Sequence, residues 1–425
     1  MVSSSNIKLE FILDDKKAMY RKRSLKDVWL DASGQFPVLL LTGPRQVGKT
    51  TFLRHICGTD RTYVTLDDPP TRSSANEDPA LFMKRFEPPL LIDEIQYAPG
   101  LMPYIKMAVD AARKPGMFWL TGSQQFLMMK DVSETLAGRV GIVNLLGFSQ
   151  RERAGTHLEI DPFLPDPDKL GKRLTFAAAP DLKAVYEQIW QGGFPALVSG
   201  EVTNRNLFYS SYLQTYLQRD VRDLTQVGDE AAFLKFIRAC AARTAQLLNL
   251  ADIARDTDVS IPTVKKWLSI LQASFQIRLL QPYYTNLTKR AVKTPKLYFL
   301  DTGLCSYLTE WETPETLEAG AMSGPIFETY VFSEMLKSYW HRGLEPTIWY
   351  YRDKDQKEID FLLERNQMLY PVEVKKNATP RKEWIGSFSV LERLKMKIGH
   401  GAVVCMIEKS LPIDKNNDAV PISVF

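Results

Sequence analysis

Three short stretches of this 425-residue chain carry residues whose types and spacing could do chemistry. The first is TGPRQVGKTT, where Gly43, Pro44, Arg45, Gln46, Val47, Gly48, Lys49, Thr50 and Thr51 follow the apolar run VLLL. Glycines in such a loop let backbone amides close around phosphate, and a helix starting at its end adds partial positive charge. Lys49 is placed to reach β- and γ-phosphates, and Thr50 to hold Mg2+. The second stretch is LLIDEIQ, an apolar strand that ends in Asp93 and Glu94. Asp93 can bind Mg2+ directly or through water, and Glu94 can activate an attacking water. The third is EIDFLLERNQMLYPVEVKK, which alternates as two strands. Asp360 lies on one; Glu373 and Lys375 lie two apart on the other and share a face. Two acids can share a divalent ion, and a lysine can steady an attacking water or the charge on a phosphate.

The elements that must position these groups follow from the apolar pattern. MFWLTGSQ is a further strand. Ligands of an α/β sheet sit at the carboxyl ends of strands, so Ser123 or Gln124 is placed to sense a γ-phosphate, unless the turn is an ordinary strand end. Arg139, in ETLAGRVGIVNLL, follows a helix and precedes a strand. It reaches a neighbouring subunit's nucleotide or makes a surface salt bridge. Residues 156–180, rich in Pro, Asp and Lys, predict an exposed connection. Helices dominate after it. Leu207, Phe208, Tyr212, Leu213, Tyr216 and Leu217 recur with helical period. Arg219 and Arg222 share a face, to contact phosphate or to pair with Asp220 or Asp223.

LNLADIARDTDVSIPTVKKWLSIL reads as helix–turn–helix. Ser260 caps the second helix, Pro262 sits in its first turn, and Val264, Trp267, Leu268 and Leu271 make its buried stripe. Lys265 and Lys266 point elsewhere, near the end that enters a major groove in such motifs. Two strands around a basic tip follow, a wing carrying Arg278, Lys289, Arg290, Lys293 and Lys296 without an acid, which suits phosphate-backbone contact. Such modules also bind proteins. Residues 324–340 form an amphipathic helix with Phe327, Val331, Met335 and Leu336 near one side and Glu328 near its start.

Composition sets the frame. Charged residues make up 24% and hydrophobic ones 45%, ordinary globular values, and the length asks for two to four domains. Net charge is only +4, so a nucleic-acid surface must come from local clustering. The four cysteines are scattered and suggest neither a zinc site nor a disulfide framework. With no signal core and no membrane-length apolar run, a reduced cytoplasm is the expected location.

TGPRQVGKTT, LLIDEIQ, LTGSQ and LAGR resemble the AAA-type ATPases. Together with GGFPALV (192–198), YLQTYLQRDVRDL (212–224) and EIDFLL…VEVK, nearly the whole chain resembles a prokaryotic family with such an ATPase in front and a domain of unknown function behind. The order helix, strand, Asp strand, E-x-K strand also resembles the PD-(D/E)xK nuclease superfamily. That likeness implies that Asp360 and Glu373 hold Mg2+ with help from Glu328, while Lys375 serves the attacking water. A nuclease-like fold that keeps its acids without cutting, or a solvated sheet edge, gives the same pattern. The expected class is α/β: a P-loop AAA-type ATPase domain (1–155), a connection and helical lid-like region (156–235), a winged-helix domain (236–320) and a restriction-endonuclease-like α/β domain (321–425). The resemblance implies ATP and Mg2+ as cofactors and a homo-oligomer, with a hexameric ring among the options. The leading function is ATP hydrolysis coupled to DNA binding or remodelling. The alternative is a nucleotide-dependent switch acting on protein partners without DNA cleavage.

Overall fold

Strand β1, Val38–Thr42, is buried along its length, and its side chains alternate between two apolar layers. Val38 and Leu40 pack with Ile92 and Phe118 and with Ile105 and Val109 of the helix Met102–Ala112. Leu39 and Leu41 pack with Trp119 and with Trp29 and Phe52 from the helices Lys26–Ser33 and Lys49–Ile56. A strand covered on both faces has to be apolar throughout, which is why these runs read as continuous. With β2 (Thr62–Thr65), β3 (Leu90–Asp93), β4 (Phe118–Gly122) and β5 (Val140–Asn144) it forms a parallel sheet in the order β2-β3-β4-β1-β5. β1 and β3 are therefore separated by β4, and the loops after all three open at one end of the sheet.

This computed structural model describes residues 20–122, 135–176, 181–216, 229–284 and 294–425. Ser123, Gln124, Leu217, Arg219, Asp220, Arg222, Asp223, Lys289, Arg290 and Lys293 lie outside the described residues.

The middle of the chain is helical, then winged. The helices Leu250–Thr257 and Ile261–Ala273 form the expected pair, and Ser260 Oγ accepts from Thr263 N. Val264, Trp267, Leu268 and Leu271 are buried, whereas Lys265 and Lys266 are exposed. β6 (Gln246–Leu247), β7 (Ile277–Leu280) and β8 (Lys296–Phe299) make an antiparallel sheet in the order β6-β8-β7. One member of the earlier helical stripe is misplaced: Leu207 is 60% exposed, while Tyr209, Tyr212, Leu213 and Tyr216 are buried.

The back of the chain is a mixed sheet around one long helix, Ser323–Trp340. β9 (Ile348–Arg352), β10 (Glu358–Arg365) and β11 (Met368–Lys375) run antiparallel. β13 (Gly401–Cys405) and β15 (Asn417–Pro421) continue parallel from β11, with β12 (Lys397–Ile398) beside β11 and β14 (Leu411–Asp414) at the edge. Its inner face, with Phe361, Leu363, Val372, Val404 and Val420, shares one continuous apolar core with the long helix and the winged-helix strands. A parallel bridge from Pro282 to Tyr350 joins the strand after β7 to β9.

Two expectations about these segments are corrected. The long helix is not amphipathic with one wet side: Phe327, Val331, Met335 and Leu336 are buried, and so are the charged Glu334 and Lys337. Those two charges pair with each other at 2.8 Å. Glu334 also accepts from Gln150 N, and Lys337 donates to Phe148 O, so these charges meet another part of the protein instead of solvent. Nor is the 156–180 segment merely an exposed connection. Phe163, Leu164 and Leu170 are buried, Phe163 packs on Phe425, and Arg173 donates to the carbonyls of Val424 and Phe425. Its Pro and Asp residues hide a few apolar anchors that a composition average dilutes.

Candidate functional site

The P-loop conformation depends on backbone that side chains oppose. Gly43, Gln46 and Gly48 all have positive φ, and a Cβ on Gly43 would stand 2.0 Å from Leu145 O. Only glycine fits at that position. Lys49 is buried and donates to Gly43 O at 2.9 Å and Pro44 O at 2.8 Å, so its ammonium lies across the loop. Thr50 Oγ1 donates to Asp93 Oδ1 at 2.8 Å, Thr121 Oγ1 donates to the same oxygen at 2.5 Å, and Tyr63 OH reaches Oδ2 at 3.2 Å. Burial pushes the Asp93 carboxyl up, against the hydrogen bonds of Thr121 and Thr50, which hold it down. Thr121 also accepts from Glu94 N at 3.0 Å, and Glu94 sits in left-handed backbone at φ 57 with its carboxylate held by Gln96. A hydroxyl and a carboxylate oxygen side by side are the donor set that hard divalent cations take, so Thr50 and Asp93 fit Mg2+.

The loop is covered by residues from the middle of the chain. Pro195 of GGFPALV lies 3.7 Å from the position of a Cβ on Gly48. A cavity of about 150 Å3 opens beside it, lined by Tyr20, Arg23, Thr51, Phe148 and Pro195 among others. Phe148 N donates to Gly193 O at 2.7 Å, and Gly193 N donates to Asp301 Oδ2 at 2.7 Å. Gly192, at φ 79, has no room for a side chain: a Cβ would meet Tyr209 OH at 2.2 Å and Asp301 Oδ1 at 2.6 Å. Two glycines thus let the phosphate-loop side of the first sheet touch the segment after β8.

A second buried network lies just beyond β5. Glu152, fully buried, faces Arg23 at 3.3 Å and His341 Nδ1 at 3.2 Å, while Leu146 N donates to His341 Nε2. Burial opposes ionisation of Glu152, but Arg23 and His341 hold its carboxyl down at about 2. Burial pushes the His341 ring down against the pull of Glu152. A neutral ring protonated on Nδ1 satisfies both contacts.

In the terminal sheet the three residues read from the sequence do come together. A bulge between Ile359 and Leu362 inserts one extra residue against β9 and re-aims Asp360, as bulges do. Asp360 Oδ2 accepts from Val374 N at 2.9 Å, and Lys375 Nζ donates to Glu373 Oε1 at 2.5 Å. Burial and then Asp360 push the Glu373 carboxyl well up, against Lys375. Burial followed by Asp360 likewise raises Glu328, to about 7, against Lys296. Among the described residues no three acids or other ligating side chains stand grouped to hold a metal ion. Lys296 of β8 stands among the acids instead. Its ammonium lies 3.2 Å from Glu328, 2.6 Å from Glu358 and 3.9 Å from Asp360, and Tyr298 OH donates to Glu328 at 2.5 Å.

Residues 35–154 match the family described as AAA domain, residues 182–315 the domain of unknown function DUF8612, and residues 323–425 the domain of unknown function DUF4143. The chain thus carries an AAA domain in front and a DUF4143 domain behind. Its relatives include the uncharacterized proteins Rv2008c of Mycobacterium tuberculosis and Mb2031c of Mycobacterium bovis, each 28% identical over 81% of this chain and 71% of theirs. Among solved structures it has a remote likeness to the Walker-type ATPase PABY2304 of Pyrococcus abyssi, with 14% identity, a TM-score of 0.43, and coverage of 68% of this chain and 96% of that one. RuvB of Thermotoga maritima is more remote, at 17% identity and a TM-score of 0.27 over 60% of this chain and 86% of that one. No helix among the described residues is long and apolar enough to cross a membrane.

In the AAA domain Arg139 forks onto Asp110 of its own chain, with Nε at 2.5 Å and Nη2 at 3.2 Å. In the winged-helix sheet one supposed wing cation, Lys296, faces inward, which corrects its reading as part of a DNA-facing set, while Arg278 stays partly exposed in an ion pair. Lys296 is buried in the DUF4143 site, and Arg278 pairs with Glu345 at 2.7 Å beside Trp340. Sequence reasoning gave no role to Thr121, Tyr63, Gln96, Asp301 and Glu358, and put Lys296 in the wing. Only Thr121 carried a local signal, as the last hydroxyl on a strand that ends beside Asp93.

Proposed function

We propose that the protein hydrolyses ATP with Mg2+ and uses the cycle to reposition its winged-helix and DUF4143 domains on DNA, as a homo-oligomer. The observation that carries the hydrolytic half is the convergence of Thr50 and Thr121 on one oxygen of Asp93, with Glu94 anchored to the same Thr121. Lys49 would leave the loop carbonyls for the phosphates, the backbone amides of the loop would orient them, and Thr50 and Asp93 would hold Mg2+. Bound Mg2+ would draw charge from the phosphate undergoing attack. Glu94 would take the proton of the attacking water. Ser123 would sense the γ-phosphate. Arg139 would act between subunits by leaving Asp110.

The coupling half is supported by the contact chain from Phe148 through Gly193 to Asp301, which runs from the loop after β5 to the end of β8. For DNA, the support is the exposed Lys265 and Lys266 on the second helix, together with Lys289, Arg290 and Lys293 of the wing sequence. The ATPase rate with and without single-stranded, duplex and branched DNA tests this reading; DNA stimulation is expected, and indifference to all three forms overturns the DNA half. One observation favours a switch acting on protein partners: Lys296 is buried among carboxylates of the same chain and is not offered to phosphate.

A further inference from the structure

A divalent ion at Asp360 and Glu373, as the nuclease resemblance implies, does not fit the donor atoms as they stand. Asp360 Oδ2 is taken by Val374 N and Glu373 Oε1 by Lys375, while Glu328 Oε1 accepts from both Tyr298 and Lys296. Of the other oxygens, Glu358 Oε1 and Asp360 Oδ1 lie toward the Lys296 ammonium. We propose that Lys296, supplied by the winged-helix strand β8, is the resident cation of the DUF4143 acidic site, so that the folded protein takes up no divalent ion there and does not cut nucleic acid.

The geometry carries this in three ways. First, the Lys296 side chain is only 3% exposed, and its ammonium lies within 4 Å of three carboxylates from two elements: Glu328 on the long helix, and Glu358 and Asp360 on β10. A buried ammonium is tolerated only where acids surround it, and acids packed this closely need a cation. Each requirement meets the other. Second, Lys296 is held in place and does not dangle. Leu280 pairs with it across β7, Leu247 pairs with it across β6, and the bridge from Pro282 to Tyr350 ties that sheet to β9. Third, the charge balance is local. Arg352 reaches the second oxygen of Glu358 at 3.2 Å and Lys375 answers Glu373, so three cations face four acids. Glu373 Oε2 is buried without a hydrogen-bond partner, but the described residues bring no group of three ligating side chains together to hold a divalent ion.

The proposal is independent of ATP turnover and of DNA binding. It is tested on nucleotide-free, full-length protein by titrating Mn2+ in a calorimeter and by following thermal unfolding with and without Mn2+. Wild type should show no Mn2+ uptake, and no Mn2+-dependent rise in midpoint, that Asp360→Asn removes. Lys296→Met should unfold at lower temperature without metal. It should also gain Mn2+ binding about tenfold tighter than any wild-type signal, restore its midpoint with Mn2+, and lose both gains when Asp360→Asn is added. Lys296→Arg, which keeps the charge, should behave like wild type in metal uptake. Wild-type uptake that depends on Asp360 overturns the proposal, and so does a folded Lys296→Met protein that neither loses stability nor gains metal, or shows only one of the two. If Lys296→Met fails to fold, the wild-type titration with its Asp360→Asn control decides alone.

Discussion

Two buried lysines divide the molecule. Lys49 of the AAA domain bends over its own loop and donates to two backbone carbonyls; Lys296 of the winged-helix sheet reaches another domain and sits among three carboxylates. The partners decide what each can do. An ammonium's hydrogen bond to a neutral carbonyl is worth about 1.5–3 kcal/mol net, and a phosphate offers charge-assisted bonds in its place, so an arriving phosphate can draw Lys49 away. Removing one partner from a buried ion pair costs about 3–5 kcal/mol, so Lys296 stays where it is. Both sites gather acids and a lysine at strand ends. One is arranged around a charge yet to arrive, and the other already contains it.

The largest expected effect breaks the AAA half of that comparison. Glu94→Gln should bind ATP but lower turnover by about 100-fold or more, because an amide cannot take the proton from water. Lys49→Ala should weaken nucleotide binding itself, read by fluorescent-nucleotide titration. Normal turnover in Glu94→Gln would remove that residue from the mechanism. Next in size is the junction. Gly192→Ala places a methyl group 2.2 Å from Tyr209 OH, in backbone that L residues avoid, and should cost about 3 kcal/mol of stability in chemical denaturation. If the residual folded protein keeps basal ATPase but loses any response to DNA, the Gly193–Asp301 contact that Gly192 makes room for is the coupling route.

The two sites also differ in how far they could be read from sequence. The loop 43–50 and Asp93–Glu94 are local: strand, glycines and helix lie within one segment, and a buried strand ending in two acids leaves them only the sheet's ligand end. Asp360, Glu373 and Lys375 were likewise visible, because adjacent antiparallel strands align by short-range register. Lys296 was not. Its partners Glu328 and Asp360 lie in another domain, and a lysine in a basic hairpin reads as solvent-facing until the bridge from Pro282 to Tyr350 fixes where β8 lies. The amphipathic reading of residues 324–340 failed for the same reason. A charged pair marks a wet helix face unless another domain brings its own polar groups, here Gln150 N and Phe148 O.

Acid–base titration sharpens the contrast with a smaller effect. Glu328, raised to about 7 by burial and Asp360, binds its proton more tightly folded than unfolded. Its stabilising contribution is full below an ordinary carboxyl pKa of about 4.3 and is lost as pH rises through 7. Glu152, held at about 2 by Arg23 and His341, has the opposite sign: its contribution is full above about 4.3 and is lost as pH falls toward 2. Glu328→Gln should therefore remove a loss of about 2–3 kcal/mol between pH 4.5 and 7.5 from the denaturation profile, within the ordinary range for such a shift. A profile unchanged by the substitution would mean that Lys296 keeps Glu328 ionised throughout, which strengthens the ion-pair reading and removes the proton from it.

The smallest effect isolates Thr121, whose hydroxyl donates to Asp93 Oδ1 and accepts from Glu94 N. Thr121→Val keeps the shape and removes both bonds. The expected stability loss is about 1 kcal/mol, the usual worth of a buried hydrogen bond. The kinetic signature is more specific. Hydrogen bonding from Thr121 is the first influence opposing the burial that raises the Asp93 carboxyl. Without it Asp93 should protonate more readily and release Mg2+ more easily, so the Mg2+ concentration giving half-maximal ATPase should rise, and more so at lower pH. Saturating Mg2+ should recover most of the rate if Thr121 acts through Asp93 alone. A rate that stays about tenfold low at saturating Mg2+ would place the defect at Glu94, whose backbone amide has lost its acceptor. Thr121→Ser restores the hydroxyl and should restore both the rate and the Mg2+ dependence; if it does not, the methyl group and not the hydrogen bonds sets the geometry of the site.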